Sequence, residues 1–246
     1  MDEFERIDEI RARLTHGGPS AASIRLGVGD DAALLSPSAY AQALSVDTAV
    51  EGVHFRLDFG PPERLGRRAM MTAASDLAAM GARPRCCLSS LVLPDSFADD
   101  SLLRLVDGIA RAARELDMPV VGGNLSRGAR LSITTTVVGE LLGPALTRSG
   151  ARPGDVLYLS GPLGEPALGL RVLLERPEDA IRMDACVRAW FDLRPAIDEG
   201  MNLVGHATAC IDVSDGFAQD CLHLLRASGV GARVQLDELP RAPGFE

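Results

Sequence analysis

The sequence predicts an α/β protein of α+β character, with mixed sheets and flanking helices, divided into two domains at residues 1–142 and 143–246. Its 246 residues are long for one domain and suit two, each with a sizeable core. Short β-branched or apolar runs alternate with amphipathic helical stretches over the whole length. The stretch 143–153, with its Gly-Pro, Ser-Gly and Arg-Pro pairs, carries the strongest boundary signal.

In chain order, helical periodicity covers 3–14, and a short extended run at 23–26 leads into Gly27-Val28-Gly29-Asp30-Asp31. That turn matches a loose dinucleotide pattern through Gly27, Gly29 and Ala32, but such a loop aims bare N–H groups at a pyrophosphate. Adjacent carboxylates would repel the phosphates unless a divalent cation lay between, as Mg²⁺ does when it shares carboxylate and phosphate oxygens. The alternative is a solvated Asp-Asp turn. Apolar runs at 33–35 and 42–46 follow, the second ending at Asp47-Thr48. Pro61-Pro62 announces a helix over 63–80, with Leu65, Ala69, Ala73, Leu77 and Met80 at helical spacing. Arg68, Thr72 and Asp76, four apart, form a polar stripe on that helix, the plainer reading being an exposed ion-pair face.

A strand at 87–93, a helix at 97–116, a strand at 119–121 that stops at Gly122-Gly123-Asn124, and a long β-branched strand at 130–142 complete the first domain. The second is expected to hold strands at 155–160, 209–211 and 233–236. Its helices are expected near 166–174, 178–191 and 195–204, with another running through 225. Asp212-Val213-Ser214-Asp215-Gly216 repeats the pattern of carboxylates between a strand and a helix. Polar and glycine residues thus recur at expected strand ends, where an open α/β sheet places its ligands.

Composition excludes several classes. The chain has no lysine, so all 25 basic residues are arginine. A Walker-A lysine, a protein-kinase lysine, a Schiff-base lysine and a Ser–Lys pair are all absent. Any phosphate chemistry must rest on metals and arginine. The net charge of −9 argues against a nucleic-acid surface. No basic leader or membrane-length apolar run is seen, so the expected location is the cytoplasm, with no membrane partner. Five cysteines (86, 87, 186, 210, 221) without a C-x-x-C pair suggest reduced thiols, and His16, His54, His206 and His223 lack zinc spacing.

Seven segments together resemble the thiamine-monophosphate kinase family: Gly27-Val-Gly-Asp-Asp31, Ser45-Val-Asp-Thr48, Gly52-Val-His-Phe55, Ser75-Asp-Leu-Ala-Ala-Met-Gly81, Gly122-Gly123, Thr147-Arg-Ser-Gly-Ala-Arg-Pro-Gly-Asp155 and Ile211-Asp-Val-Ser-Asp-Gly216. They run in order, with family-like spacing, from about residue 4 to 239. The resemblance implies the two-domain fold of the aminoimidazole ribonucleotide synthetase-like ATP-binding superfamily, and a homodimer formed through the N-terminal domain. It implies direct in-line transfer of the ATP γ-phosphoryl group to thiamine phosphate, giving thiamine diphosphate, in a site holding several Mg²⁺ ions. Such transfer needs positioning and charge cancellation more than covalent help, so no catalytic side chain is expected beyond metal and arginine.

Carried over by motif, Asp30, Asp31, Ser45, the backbone of Val46, Asp47 and Asp76 would hold metal on the first domain, with Asp212 and Asp215 completing the set from the second. Gly123, Asn124, Arg148 and Ser214 match positions that contact ATP, and His54 matches one near thiamine phosphate. Asn124 stands where the family carries aspartate, and its amide oxygen can ligate metal without charge. The family pattern continues through a Gly-Gly-Glu-Asp-Tyr-Glu segment and a late aromatic that help form the thiamine pocket. The chain ends before either, at Pro243-Gly244-Phe245-Glu246, so the second domain is expected to be C-terminally incomplete. The alternatives are a catalytically weak or non-catalytic Mg-nucleotide-binding dimer and another member of the superfamily. Selenophosphate synthetase would need a cysteine before Cys86, and the hydrogenase-maturation relative one after Cys221.

Overall fold

The computed structural model describes residues 1, 3–15, 23–180 and 184–242. Expectations for His16, for 181–183 of the 178–191 helix and for the chain end at 243–246 fall outside them. The chain forms two compact units, one of Met1–Leu77 with Arg83–Leu142 and one of Ala78–Ala82 with Gly143–Glu246.

The first unit contains α1 (Glu3–Thr15), β1 (Ile24–Leu26), β2 (Leu34–Leu35), β3 (Ala41–Val50), α2 (Pro62–Ala79), β4 (Arg83–Leu93), α3 (Asp99–Glu115), β5 (Val120–Arg127) and β6 (Ser132–Leu141). β1 and β2 pair antiparallel across the Gly27–Asp31 turn. The main sheet runs β3-β6-β4-β5, with β4 and β5 parallel and the other neighbours antiparallel. β6 is central because its β-branched run suits a pleated surface packed on both edges. Its alternation buries Ile133, Thr135 and Val137 to 1% exposure or less on one face.

α2 covers that face, with Met70 against Cys87 of β4 and the Ser45 hydroxyl of β3 donating to Asp76. α3 lies beside α2, their backbones meeting at Gly66 and Gly108. A Cβ at Gly66 would overlap the Leu105 carbonyl, and one at Gly108 would overlap that of Glu63. Two ion pairs clasp the helices, Arg67 with Glu115 and Arg104 with Glu63. α1 is tied to α3 by Arg6 to Asp99 at 2.6 Å and Arg13 to Asp107 at 3.2 Å.

Two expectations for this unit are corrected. Asp47 lies inside β3, which pairs with β6 over all ten of its residues, and not at a strand end. Gly122-Gly123-Asn124 lie inside β5, which runs on to Arg127 because its backbone stays in register with Ser89–Leu93 of β4. Glycine at 123 is required there, since a Cβ would overlap the Ser89 carbonyl.

The second unit holds α4 (Glu165–Glu175), α5 (Asp184–Phe191), α6 (Ile197–Leu203) and α7 (Phe217–Ser228). Val172, Leu173, Val187, Trp190 and Phe191 form its apolar centre, the two rings edge-to-face at 4.6 Å. The strands expected at 155–160, 209–211 and 233–236 are not formed among the described residues, and 236–238 is a 3-10 turn. A strand needs a hydrogen-bonded neighbour. Val156 and Tyr158 are 70% and 84% exposed, and 209–211 gains one backbone bond, from Cys210 N–H to the Thr147 carbonyl.

Candidate functional site

In the first unit Ser45, Asp47 and Asp76, three of the residues selected from the sequence, lie together at β3 and α2. Ser45 and Asp47, two apart on β3, face the helix layer, while Val46 between them points to the other face and is 62% exposed. Ser45 donates to Asp76, which joins strand to helix at the polar stripe of α2. One stripe arginine is part of this group: burial pushes the Arg68 guanidinium down to about 10, opposed by the Asp47 carboxylate facing it. It stays charged at neutral pH. The Asp47 carboxylate also accepts the N–H of Thr48 at 2.7 Å.

Across the sheet, Asp47, Thr135, Ser89 and Gly123 lie in one register row on the helix-facing side. The hydroxyls of Thr135 and Ser89 are buried without a hydrogen-bond partner among the described residues. Buried hydroxyls in that condition invite water or another ligand. Asn124 follows Gly123 on the exposed edge of β5.

Asp30 and Asp31 are exposed on the β1–β2 turn. Asp30 accepts the N–H of Asp31, and Gly29, beside the Arg11 guanidinium, has φ 126°, a conformation that side-chain-bearing residues rarely adopt. His54 is exposed on the turn after β3, its Nδ1 accepting the Val50 N–H at 3.0 Å. In the neutral ring the proton is therefore on Nε2, which faces outward as a donor.

In the second unit Arg148 is exposed, its carbonyl accepting the Ser228 hydroxyl at 3.0 Å. Asp212, Ser214 and Asp215 share one loop ahead of α7, with Asp215 accepting the Gln219 amide at 3.3 Å. Among the described residues no three His, Cys, Asp or Glu side chains stand close enough to hold a metal ion by themselves. The donors present, Ser45, Asp47 and Asp76 with the Thr135 and Ser89 hydroxyls, are all hard oxygens. They fit Mg²⁺, which keeps several waters and completes its shell with substrate oxygens.

Sequence reasoning missed Ser89 and Thr135, and saw Arg68 only as part of a stripe. Ser89 and Thr135 gave no local signal, since they join Asp47 only through sheet register.

The AIR synthase related protein, N-terminal domain, family matches residues 29–141. Thiamine-monophosphate kinase of Salmonella typhimurium is 40% identical over 228 residues, covering 91% of this chain and 69% of the relative. The chain belongs to the thiamine-monophosphate kinase family. The crystal structure of thiamine-monophosphate kinase from Stenotrophomonas maltophilia superposes with a TM-score of 0.84 at 35% identity, covering 99% of this chain and 77% of that one. A structure of AaThiL complexed with AMPPCP and TMP gives a TM-score of 0.79 at 32% identity, over 98% and 75% of the two chains. The fold is accordingly AIR synthase-like, and the chain is an enzyme of the thiamine-monophosphate kinase family. No helix among the described residues is long and apolar enough to cross a membrane.

Proposed function

We propose that the chain transfers the γ-phosphoryl group of ATP to thiamine phosphate, forming thiamine diphosphate and ADP. An oxygen of the acceptor phosphate forms the new bond to the γ-phosphorus as the bond to the β,γ-bridging oxygen breaks, and the leaving charge stays on ADP. The observation that carries this reading is the pairing of Ser45 and Asp76 beside Asp47 in a lysine-free member of the family, with Arg68 the cation facing that group. When bound, Mg²⁺ would offset the charge of the triphosphate.

Several such ions are expected: Asp30, Asp31, Ser45, the Val46 main chain, Asp47, Asp76 and Asn124 are the metal-holding residues proposed for 1–142, and Asp212 and Asp215 those proposed for 143–246. Gly123, Asn124, Arg148 and Ser214 would contact ATP. Gly123 would do so through its main chain on the edge strand β5, and Arg148 by presenting a planar fork to phosphate oxygens. His54 Nε2–H would donate to thiamine phosphate. Residues 1–142 act as the Mg-ATP-binding and dimerisation domain, and the enzyme works in the cytoplasm.

The test is ADP release coupled to a reporter, with thiamine phosphate added or omitted. ADP release should require thiamine phosphate, and Asp76→Ala should lower its rate by at least about tenfold. MgATP binding without acceptor-dependent turnover would select a nucleotide-binding module instead. Unchanged rates in Asp76→Ala would remove the β3–α2 group from the site.

A further inference from the structure

Three consecutive main-chain donors, the N–H groups of Ser214, Asp215 and Gly216, converge on one oxygen, Oδ2 of Asp220, at 2.9, 3.1 and 3.1 Å. Asp220 is 4% exposed and belongs to the first turn of α7, whose leading residue Gly216 has φ 117° and offers no side-chain cap. Convergent N–H groups at the start of a helix ordinarily attract an external anion such as phosphate. Here the chain's own carboxylate fills that place from inside.

Ser214 and Asp215 of the loop are exposed and Asp212 is half-buried, and the Ser214 hydroxyl and the two carboxylates are of the kind that accept a cation. We propose that Asp220 is a positioning residue that locks the 212–216 loop in a cation-presenting shape and withdraws its N–H groups from phosphate. The inference rests on the metal-holding role given above to Asp212 and Asp215, and deepens it. Ser214 then reaches a nucleotide through its hydroxyl and not through its amide. The sequence carries a trace of this in the acid four residues after Gly216.

The experiment titrates Mg²⁺ at fixed ATP by calorimetry on the full chain, for the native protein, Asp220→Ala, Asp220→Asn, Asp212→Ala and Asp215→Ala, with each Tm recorded. Asp220→Ala should raise the Mg²⁺ midpoint by about tenfold to a hundredfold, the range seen when groups that orient metal ligands are removed. Asp220→Asn should restore it to within about threefold, because an amide oxygen accepts the same three N–H groups. A general loss of stability would lower Tm without moving the midpoint, so a native midpoint in Asp220→Ala overturns the proposal. If Asp220→Ala does not fold, hydrogen exchange on the native chain decides. The amides of Ser214, Asp215 and Gly216 should exchange more slowly than that of Val213, and equal rates overturn the proposal. Native midpoints in both Asp212→Ala and Asp215→Ala would instead remove the metal role of the loop and the proposal with it. An inert Asp220→Ala beside responsive Asp212→Ala and Asp215→Ala would overturn the proposal alone.

Discussion

Glu140 shows how the absence of lysine shapes single sites. It is 9% exposed at the end of β6, with Arg83 donating to it at 2.7 Å and the Arg85 guanidinium 3.5 Å away. The hydrogen bond from Arg83 holds its carboxyl below the ordinary 4.5, aided by Ser38 and the Arg85 charge, while burial pulls the other way. A depressed carboxyl stabilises the fold above its unfolded-state value and loses that contribution as pH falls through the folded-state value. Glu140→Gln should therefore have a lower urea midpoint than the native protein at neutral pH, with the gap closing as pH falls below the ordinary 4.5 and through the lowered folded-state value. A gap unchanged across that range would show that the ion cluster adds nothing pH-dependent. Arg68 is likewise an arginine whose charge is met by a carboxylate, that of Asp47, but its signal in the sequence was only the run of four-residue steps from Arg68 through Thr72 to Asp76.

Among the elements, α2 and α3 depend on two glycines that helix propensity alone would disfavour. Replacing Gly66 by alanine should gain about 1 kcal/mol of propensity in an isolated helix. In the fold its Cβ would strike the Leu105 carbonyl, and overpacking of that kind costs about 1–3 kcal/mol. The second effect wins, so thermal unfolding of Gly66→Ala should begin at a lower temperature than in the native chain. A higher Tm would mean that the helices can move apart at no cost. Helix boundaries were largely legible in the sequence, because α2 and α3 announce themselves by periodicity: α2 was expected at 63–80 and forms at Pro62–Ala79. Strand extents were not. Asp47 and Gly122–Asn124 looked like strand ends because aspartate and glycine are poor strand formers, yet pairing with β6 and β4 carries both strands onward. Expected strands without a neighbour, such as 155–160, did not form. Of the candidate site, motifs pointed to Ser45, Asp47 and Asp76, whereas Thr135 and Ser89 join them only through sheet register. Asp220 left only the trace of an acid four residues after Gly216, because its partners are backbone donors.

For the whole molecule, the face of the main sheet away from α2 carries Leu44, Val46 and Leu88 at 67%, 62% and 40% exposure, with Val46, Thr136, Leu88 and Gly122 in one row. Such a patch is costly to leave in water. With the family resemblance, it motivates the proposal of a homodimer through residues 1–142, in which a second copy covers this face. Light scattering should give a dimer mass at micromolar concentration, and Leu44→Asp should shift it to that of a monomer. A native monomer would refute the dimer. The five thiols offer a different use of the same packing. Cys86 and Cys87 are buried in one unit and Cys186 and Cys221 in the other, all free, and burial raises the Cys87 thiol well above its ordinary range. Alkylating reagents thus find these four sulfurs screened until the surrounding chain opens, and the modified peptide tells which unit gave way first. The protein carries its own unfolding reporters, one pair for each half, without a label being introduced.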